Sequence, residues 1–285
     1  MRAAIDIGSN SIRLALSDGT KRSAITKLAD GIEKTGRLSP NGVQRTIAVL
    51  KDYADTAKKH GCERVIAFAT EAVRRASDGD DFIRAVKEAC GLDVLLLSPE
   101  TEARLALFGA TKPEGKVSIC DLGGGSMELI SASDGANPVY IKSLPLGVVV
   151  LKNTFLTEGV SPSQAYRRAI DAAPELVKSY GKTKKYPLVV LGGSACAIAA
   201  GMLNLPYYDR SAVEGYKITA SALDGFMPIL TSPHLSTLRP VCANRADTVA
   251  FGAIIIQALL NYLGLDSFTV SDSSNLEAVL NGFEV

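Results

Sequence analysis

The chain has 285 residues, of which 47% are hydrophobic and 21% charged, and its formal net charge is +1. That length suits one large domain or two modest ones, and the composition is typical of a folded globular protein. A near-neutral charge disfavours a broad cationic surface for nucleic acid. The only histidines, His60 and His234, make a zinc hydrolase or a Ser-His-Asp triad a poor explanation. The five cysteines contain no C-x-x-C pair and indicate reduced thiols.

Strands and helices are predicted to alternate along the chain, which is typical of an α/β fold. Short apolar runs predict strands at 3–7, 12–16, 64–69 and 93–97. Helical periodicity predicts helices after the N-cap pair Ser39-Pro40, over 71–90 and over 100–110. The polar, turn-prone segment 111–116 is the expected boundary between two lobes.

Two uncharged stretches have the length of a membrane span but not its composition. Residues 187–208 contain Gly192-Gly193-Ser194 and predict a strand, a turn and a helix, whereas 248–265 predict a buried helix. Asp6 interrupts the apolar run that a signal peptide needs, so no export is predicted.

An internal repeat is the most informative feature of the sequence. Ile5–Leu14 and Cys120–Leu129 both read x-D-[IL]-G-x-x-S-x-x-L. Each copy predicts a strand that ends in an aspartate, a Gly/Ser turn and a returning strand. A third turn, Gly192-Gly193-Ser194, follows the apolar run Leu188–Leu191. The duplication predicts two similar lobes that face each other across a cleft.

These turns have the composition of phosphate-binding loops. Glycine-rich turns expose successive backbone N–H groups that bind phosphate oxygens. Asp6 and Asp121, at the ends of the two repeated strands, are oxygen ligands of the kind that Mg²⁺ shares with phosphates and water. The alternative is a pair of plain hairpin turns in which each aspartate bonds its own backbone. Neither a Walker A loop nor a G-x-G-x-x-G dinucleotide motif is present.

Seven short motifs occur in the order found in one protein family. They are A-I-D-I-G-S-N-S-I-R-L at 4–14, A-F-A-T-E-A-V-R-R-A at 67–76, E-T-E-A-R-L at 100–105, D-L-G-G-G-S-M-E-L at 121–129, S-L-P-L-G at 143–147, L-G-G-S at 191–194 and R-A-D at 245–247. Through these motifs nearly the whole chain resembles the exopolyphosphatase/guanosine pentaphosphate phosphohydrolase (Ppx/GppA) family.

The resemblance implies a fold and a domain division. The fold is α/β, with two duplicated ribonuclease H-like lobes of the actin-like ATPase type facing a central cleft. The expected lobes are 1–115 and 116–272, and a C-terminal helix at about 273–285 is expected to pack back on the first lobe.

The resemblance also implies a hydrolase that releases terminal phosphate from inorganic polyphosphate or guanosine pentaphosphate/tetraphosphate with Mg²⁺ or another divalent cation. Glu102 matches the general base of the family, and Asp121 and Glu128 match acidic residues that hold the metal and order the water; Asp6 is the corresponding metal candidate of the other lobe. The residues that match phosphate- or substrate-binding positions are Ser9, Asn10, Ser11, Arg13, Arg74, Gly123, Gly124, Gly125, Ser126, Gly192, Gly193, Ser194 and Arg245. We expect a cytoplasmic protein with no nucleic-acid or membrane partner, and a homodimer stays open.

Two of these assignments have a structural alternative. Glu102 could be a solvated helix residue that pairs with Arg104, and Arg74 could be a surface charge beside Arg75. The basic residues Lys178, Lys182, Lys184 and Lys185 could follow a polyanion, although a solvated helix end explains them equally well and is favoured.

The C-terminal family motif departs from its usual form. V-S-D-R-G-L-R-E-G reads V-S-D-S-S-N-L-E-A at 270–278, so both arginines and both glycines are replaced. Two alternatives to the hydrolase therefore stay open. One is a phosphate- or alarmone-binding sensor with little or no turnover, and the other is a small-molecule kinase of the wider fold.

Overall fold

The computed structural model describes residues 1–110, 115–133, 138–181, 183–273 and 275–283. Two compact units make up the chain. The first unit is Met1–Gly109 with Ser274–Val285, and the second is Ala110–Ser273.

The first unit combines a mixed sheet with helices. Its strands are Arg2–Ile7 (β1), Ser11–Leu16 (β2), Lys21–Ile25 (β3), Arg64–Ala69 (β4) and Val94–Leu96 (β5). Its helices are Ile32–Thr35 (α1), Pro40–Lys59 (α2), Glu71–Arg75 (α3), Gly79–Cys90 (α4), Pro99–Gly109 (α5) and, from the C-terminal segment, Asn275–Leu280 (α13).

The second unit is built in the same way. Its strands are Val117–Leu122 (β6), Met127–Ala132 (β7), Pro138–Leu144 (β8), Leu188–Leu191 (β9), Lys217–Thr219 (β10) and Ser267–Ser271 (β11). Its helices are Val148–Phe155 (α6), Pro162–Lys178 (α7), Gly193–Met202 (α8), Arg210–Val213 (α9), Ala220–Leu230 (α10), Leu235–Leu238 (α11) and Val249–Leu263 (α12), with a 3-10 helix at Pro240–Arg245.

Five strands of the second sheet, β8-β7-β6-β9-β11, repeat the strand order of the first sheet, and β10 is an additional edge strand antiparallel to β11. In the first unit the strand order is β3-β2-β1-β4-β5, and in the second it is β10-β11-β9-β6-β7-β8. β1 pairs antiparallel with β2 and parallel with β4, and β6 pairs antiparallel with β7 and parallel with β9. The prediction of two duplicated α/β lobes is therefore confirmed. The predicted domain bounds stay a prediction because 111–114 lie outside the described residues, and the placement of the lobes about a cleft also stays one.

Strands β1 and β7 lie in the buried interior of their units. β1 is buried from Ala3 to Ile7 and β7 along its whole length, as expected for strands covered by helices on both faces. α12 is almost wholly apolar and buried, which confirms the predicted buried helix at 248–265. Among the described residues, no helix combines the length and the apolar character needed to cross a membrane.

The C-terminal helix packs within the first unit. α13 contacts α5 and β1, and its Leu276 and Val279 join an apolar cluster that includes Phe68 and Leu105. Leu276 occupies one of the two positions where the family motif has arginine, and its burial in this cluster accounts for the apolar substitute.

One element prediction was wrong. Residues 71–90 form two helices, α3 and α4, instead of one. The carboxylate of Asp78 accepts a hydrogen bond from the backbone N–H of Leu38 at 3.0 Å. Gly79 lies so close to the Val73 carbonyl that a Cβ there would overlap it. Neither the hydrogen bond from Leu38 nor the close backbone approach of Gly79 to Val73 changes the spacing of the apolar residues, so the helical period could not reveal the break.

Candidate active site

The two repeated turns have the same backbone geometry. In the first, the N–H of Gly8 donates to the carbonyl of Ser11 at 3.1 Å, and in the second the N–H of Gly123 donates to the carbonyl of Ser126 at 3.0 Å. Each turn joins antiparallel strands whose register is also the same, since Asp6 pairs with Arg13 and Asp121 with Glu128. The sequence repeat is therefore a structural repeat.

The carbonyl groups of both turns are bonded to the chain that follows the third strand. Ser9 O accepts from Ala29 N at 2.9 Å, and Asn10 O accepts from the N–H groups of Thr26 and Lys27, both at 3.0 Å.

In the second turn, Gly123 O accepts from Val148 N at 3.0 Å, and Gly124 O accepts from Val149 N at 2.9 Å. A trans peptide points its C=O and N–H in opposite directions. The N–H groups of Asn10 and Ser11, and those of Gly124 and Gly125, therefore face away from the segments that hold the turns. A row of N–H groups pointing one way is suited to phosphate oxygens.

Gly147 allows α6 to approach the second turn. Its φ of −104° and ψ of 170° are open to any residue, so backbone strain does not require glycine here. An added Cβ would instead overlap the Gly124 carbonyl and the nitrogen of Gly125. Glycine at 147 is therefore needed for the contact that holds the turn.

In the first unit, the repeated strands carry a compensated charge pair. Asp6 is 3% exposed, and its Oδ2 accepts a hydrogen bond from Arg13 Nη2. Among the described residues, no group donates a hydrogen bond to the buried Oδ1 of Asp6. Arg13 is paired in register with Ser23 of β3, so Asp6, Arg13 and Ser23 form one row across three strands.

The corresponding row of the second unit is acidic. Asp121, Glu128 and Ser143 are paired in register across β6, β7 and β8. Glu128 is 1% exposed, and its Oε1 accepts a hydrogen bond from Ser143 Oγ at 2.6 Å. Burial, with the charges of Asp121 and Glu128, raises the pKa of the adjacent Cys120 thiol well above its usual value. Arginine in the first row thus corresponds to glutamate in the second.

Glu102 and Arg74 are brought together in the first unit. Glu102 is 6% exposed on α5, and its Oε2 lies 3.6 Å from Arg74 Nη1. The same Nη1 donates to the carbonyl of Leu97 at 2.6 Å, which fixes the guanidinium beside the carboxylate. The alternative partner Arg104 pairs with exposed Glu100 instead, at 3.1 Å.

Arg75, the neighbour of Arg74, has a different role. Its guanidinium bonds Glu33 at 2.8 Å and Glu71 at 2.9 Å, and these hydrogen bonds raise its pKa. Of the two adjacent arginines, only Arg74 is paired with Glu102 within the described residues.

The third turn opens helix α8 in the second unit. Gly192 has a φ of +106°, a conformation that glycine adopts readily, and it lies against the Leu122 carbonyl at the end of β6. The Arg245 guanidinium lies against Gly193, and Ser194 is buried against Gly252. The structure therefore places Arg245 beside the third turn, whereas Ser194 packs inward.

The basic run is partly accounted for by ordinary pairing. Lys178 Nζ bonds Glu175 at 2.5 Å, on the exposed end of α7. Lys184 and Lys185 are exposed, and Lys182 lies outside the described residues.

The carboxylates fit a magnesium ion only with additional ligands. In the described parts of the chain, no group of three or more His, Cys, Asp or Glu side chains is placed to hold a metal ion. Mg²⁺ commonly takes one or two carboxylates and completes its shell with waters and phosphate oxygens. In the second unit the Asp121–Glu128 pair is compatible with that mode. In the first unit, taken separately, the unbonded buried oxygen of Asp6 is also compatible with it.

Sequence reasoning missed Ser143 and Gly147 as site residues. Both lie in the motif S-L-P-L-G at 143–147, whose composition by itself indicates no particular chemistry. Ser143 corresponds to Ser23 on the third strand of the repeated unit. This correspondence depends on the strand register, which the sequence does not show.

Comparison with known proteins gives the class of this fold and site. The model of the Ppx/GppA phosphatase family matches residues 9–283. Exopolyphosphatase 2 of Mycobacterium tuberculosis is 28% identical, over 97% of this chain and 96% of its own length. Exopolyphosphatase 1 of the same species is 26% identical, over 93% of this chain and 83% of its own length.

Solved structures agree with this class. A crystal structure of the Aquifex aeolicus member of the Ppx/GppA family has a TM-score of 0.79 and 32% identity, covering 98% of this chain and 95% of that one. An exopolyphosphatase-like protein has a TM-score of 0.90 at 21% identity and shares the fold. The chain therefore belongs to the Ppx/GppA phosphatase family. The predicted resemblance and the predicted enzyme class are both confirmed.

Proposed function

We propose that this protein hydrolyses the terminal phosphoanhydride bond of inorganic polyphosphate and releases orthophosphate, with guanosine pentaphosphate as a second substrate of the same chemistry. The observation that carries the proposal is the duplicated turn, in which both copies bond their carbonyls to the following chain and direct two N–H groups the other way. Relatives named exopolyphosphatase, matched over most of their length, support the choice of polyphosphate.

Phosphate binding is assigned to the N–H groups of Asn10 and Ser11 and to those of Gly124 and Gly125. A hydrogen bond to a charged group contributes about 1.5–3 kcal/mol, so a few such donors can hold a phosphate without a broad cationic surface. Arg13 and Arg245, each beside a turn, are the cations assigned to substrate oxygens. This explains how a chain of near-zero net charge can bind a polyanion.

Glu102 is assigned as the general base. A water oxygen attacks the terminal phosphorus, Glu102 accepts the proton of that water, and the bridging P–O bond breaks with its electron pair leaving on the shortened chain. Phosphoryl transfer depends on positioning and charge stabilisation more than on covalent help, and a carboxylate within reach of the water is sufficient as base. Burial and the fixed Arg74 guanidinium restrict the orientation of the Glu102 carboxylate.

A divalent cation is assigned to the carboxylates of Asp121 and Glu128 in the second unit, and Asp6 is a separate metal candidate within the first unit. When bound, Mg²⁺ would neutralise phosphate charge. Two carboxylates opposite each other in a ladder repel, so the Asp121–Glu128 pair favours a cation at that position.

Phosphate release tests the proposal. The parent and the Glu102→Gln variant are assayed on short polyphosphate, long polyphosphate and guanosine pentaphosphate, each with and without Mg²⁺. We expect Mg²⁺-dependent release, and a fall in kcat of about 10²–10⁴-fold in the variant because the general base is lost. The matched control is Glu100→Gln, since the Glu100 side chain is 67% exposed and pairs with Arg104. It should behave like the parent.

Three results would contradict the proposal. Full activity of Glu102→Gln removes Glu102 from the mechanism. Tight binding of polyphosphate or guanosine pentaphosphate without release indicates a sensor. Transfer of phosphate from ATP to an acceptor, with none released to water, indicates a kinase.

A further inference from the structure

The acidic row of the second unit contains a residue without an assigned function. Ser143 lies on β8, directly opposite Glu128, which in turn lies opposite Asp121. β7 runs between β6 and β8, so Glu128 has Asp121 on one side and Ser143 on the other. Residues opposite each other in an antiparallel ladder project from the same face, with Cβ atoms about 4.5–5.5 Å apart.

Ser143 holds one oxygen of the Glu128 carboxylate. Its hydroxyl can donate, and Glu128 Oε1 accepts at 2.6 Å, a short distance typical of a hydrogen bond to a charged acceptor. Glu128 is almost completely buried, so water is a poor substitute for this donor. The contact ties the carboxylate to β8 and fixes the rotation of its plane.

The repeated row of the first unit supports a specific role. There, Ser23 occupies the position of Ser143, but its neighbour in the row is Arg13, which is bonded to Asp6. The serine is thus present in both rows, whereas only the second row places it opposite a carboxylate.

We propose that Ser143 is a positioning residue that orients the Glu128 carboxylate toward a divalent cation shared with Asp121. This inference rests on the cation site of the proposed function and adds to it the residue that sets the ligand's orientation. Residues that hydrogen-bond metal ligands typically account for 10–100-fold of metal affinity or activity.

Cation binding, measured apart from activity, tests the proposal. Mn²⁺ is titrated by calorimetry into the substrate-free parent and into Ser143→Ala, Ser143→Thr and Glu128→Gln. We expect Ser143→Ala to bind Mn²⁺ about 10-fold more weakly and Ser143→Thr, which keeps the hydroxyl, to bind as the parent does. Glu128→Gln should bind more weakly still because it loses a charged ligand. In the activity assay, Ser143→Ala should lower kcat about 10–100-fold at saturating polyphosphate, with a smaller change in KM.

Two control variants distinguish a loss of Glu128 positioning in Ser143→Ala from a general effect on packing. Ser131→Ala removes a buried hydroxyl of β7 that bonds Ser118 at 2.9 Å, and Ser23→Ala removes the counterpart of Ser143 in the first unit. Both should keep parental Mn²⁺ affinity, and the thermal unfolding temperature is recorded for every variant.

The outcomes are distinct. Parental Mn²⁺ affinity in Ser143→Ala alongside weakened binding in Glu128→Gln overturns the role of Ser143 and leaves the cation site standing. Parental affinity in both variants overturns the cation site and the role of Ser143 together. Equal weakening in Ser143→Ala and Ser143→Thr, or in Ser131→Ala, shows a packing effect and also overturns the proposal.

Discussion

Replacement of Gly147 by alanine tests how the second turn is held. The backbone at Gly147 accepts alanine without strain, because its φ of −104° lies in the extended region. The added Cβ, however, would overlap the carbon and oxygen of Gly124 and the nitrogen of Gly125. These are backbone atoms, so they cannot move aside as the end of a flexible side chain can. The substitution must therefore displace either α6 or the turn.

The size of the effect follows from this geometry. Inserting a methyl group into a well-packed site costs about 1–3 kcal/mol. Gly147 is also the N-cap of α6, where alanine is less favourable than glycine by a few tenths of a kcal/mol or more. The expected loss is about 2–3 kcal/mol for the second unit, which lowers Tm by roughly 4–12 °C for a unit of this size. A shift of the turn by about 1 Å would lower kcat about 100-fold.

Calorimetric melting and phosphate release measure both effects. Gly225→Ala is the matched control, because Gly225 lies inside α10 and an added Cβ would meet no atom within 4 Å apart from the adjacent residues and backbone of its own helix. Alanine there should stabilise the helix by about 0.5–1 kcal/mol and leave activity unchanged. Parental Tm and kcat in Gly147→Ala would refute the close-approach argument. Equal losses in Gly147→Ala and Gly225→Ala would refute it as well.

Two further predictions concern titrating groups outside the site. The backbone N–H of Thr20, with His60, lowers the pKa of Asp18 to about 2. The stabilisation is complete above the unfolded pKa of about 3.9 and is lost as pH falls toward 2, so Asp18→Asn should be less stable than the parent in urea at pH 5 and equal to it near pH 2. Burial raises the pKa of Cys196 to about 12, so iodoacetamide at pH 8.5 should label partly exposed Cys62 and leave Cys196 unlabelled in the folded protein. Mass spectrometry that finds Cys196 alkylated as fast as Cys62 would contradict the second prediction, and an Asp18→Asn deficit that persists at pH 2 would contradict the first.

Local signals in the sequence were sufficient to predict strands and helices such as β4 and α2, and also the duplication. Ser39 caps α2 as predicted, and its hydroxyl accepts from Gly42 N at 3.2 Å. Strand β4 begins and ends where its apolar run does. The repeated D-x-G turns predicted two equivalent structures because a glycine turn after a strand is encoded by adjacent residues.

Similar residues that are close together in the sequence have different structural roles because of contacts with distant parts of the chain. Arg74 and Arg75 are equivalent in the sequence, but the Leu97 carbonyl fixes one and Glu33 holds the other. Glu100 and Glu102 lie two positions apart on α5 and therefore project from different faces of the helix. Glu102 is buried, whereas the Glu100 side chain is exposed.

The sequence by itself therefore predicted the fold class, the family and the two repeated turns, since short, contiguous motifs encode each of them. Only the folded chain showed that Ser143 lies opposite Glu128 and that Gly147 admits α6 to the turn. The physical reason is that strand register and close backbone approach are set by the packing of whole elements. Nothing in the sequence around a serine or a glycine distinguishes such a position from an ordinary one.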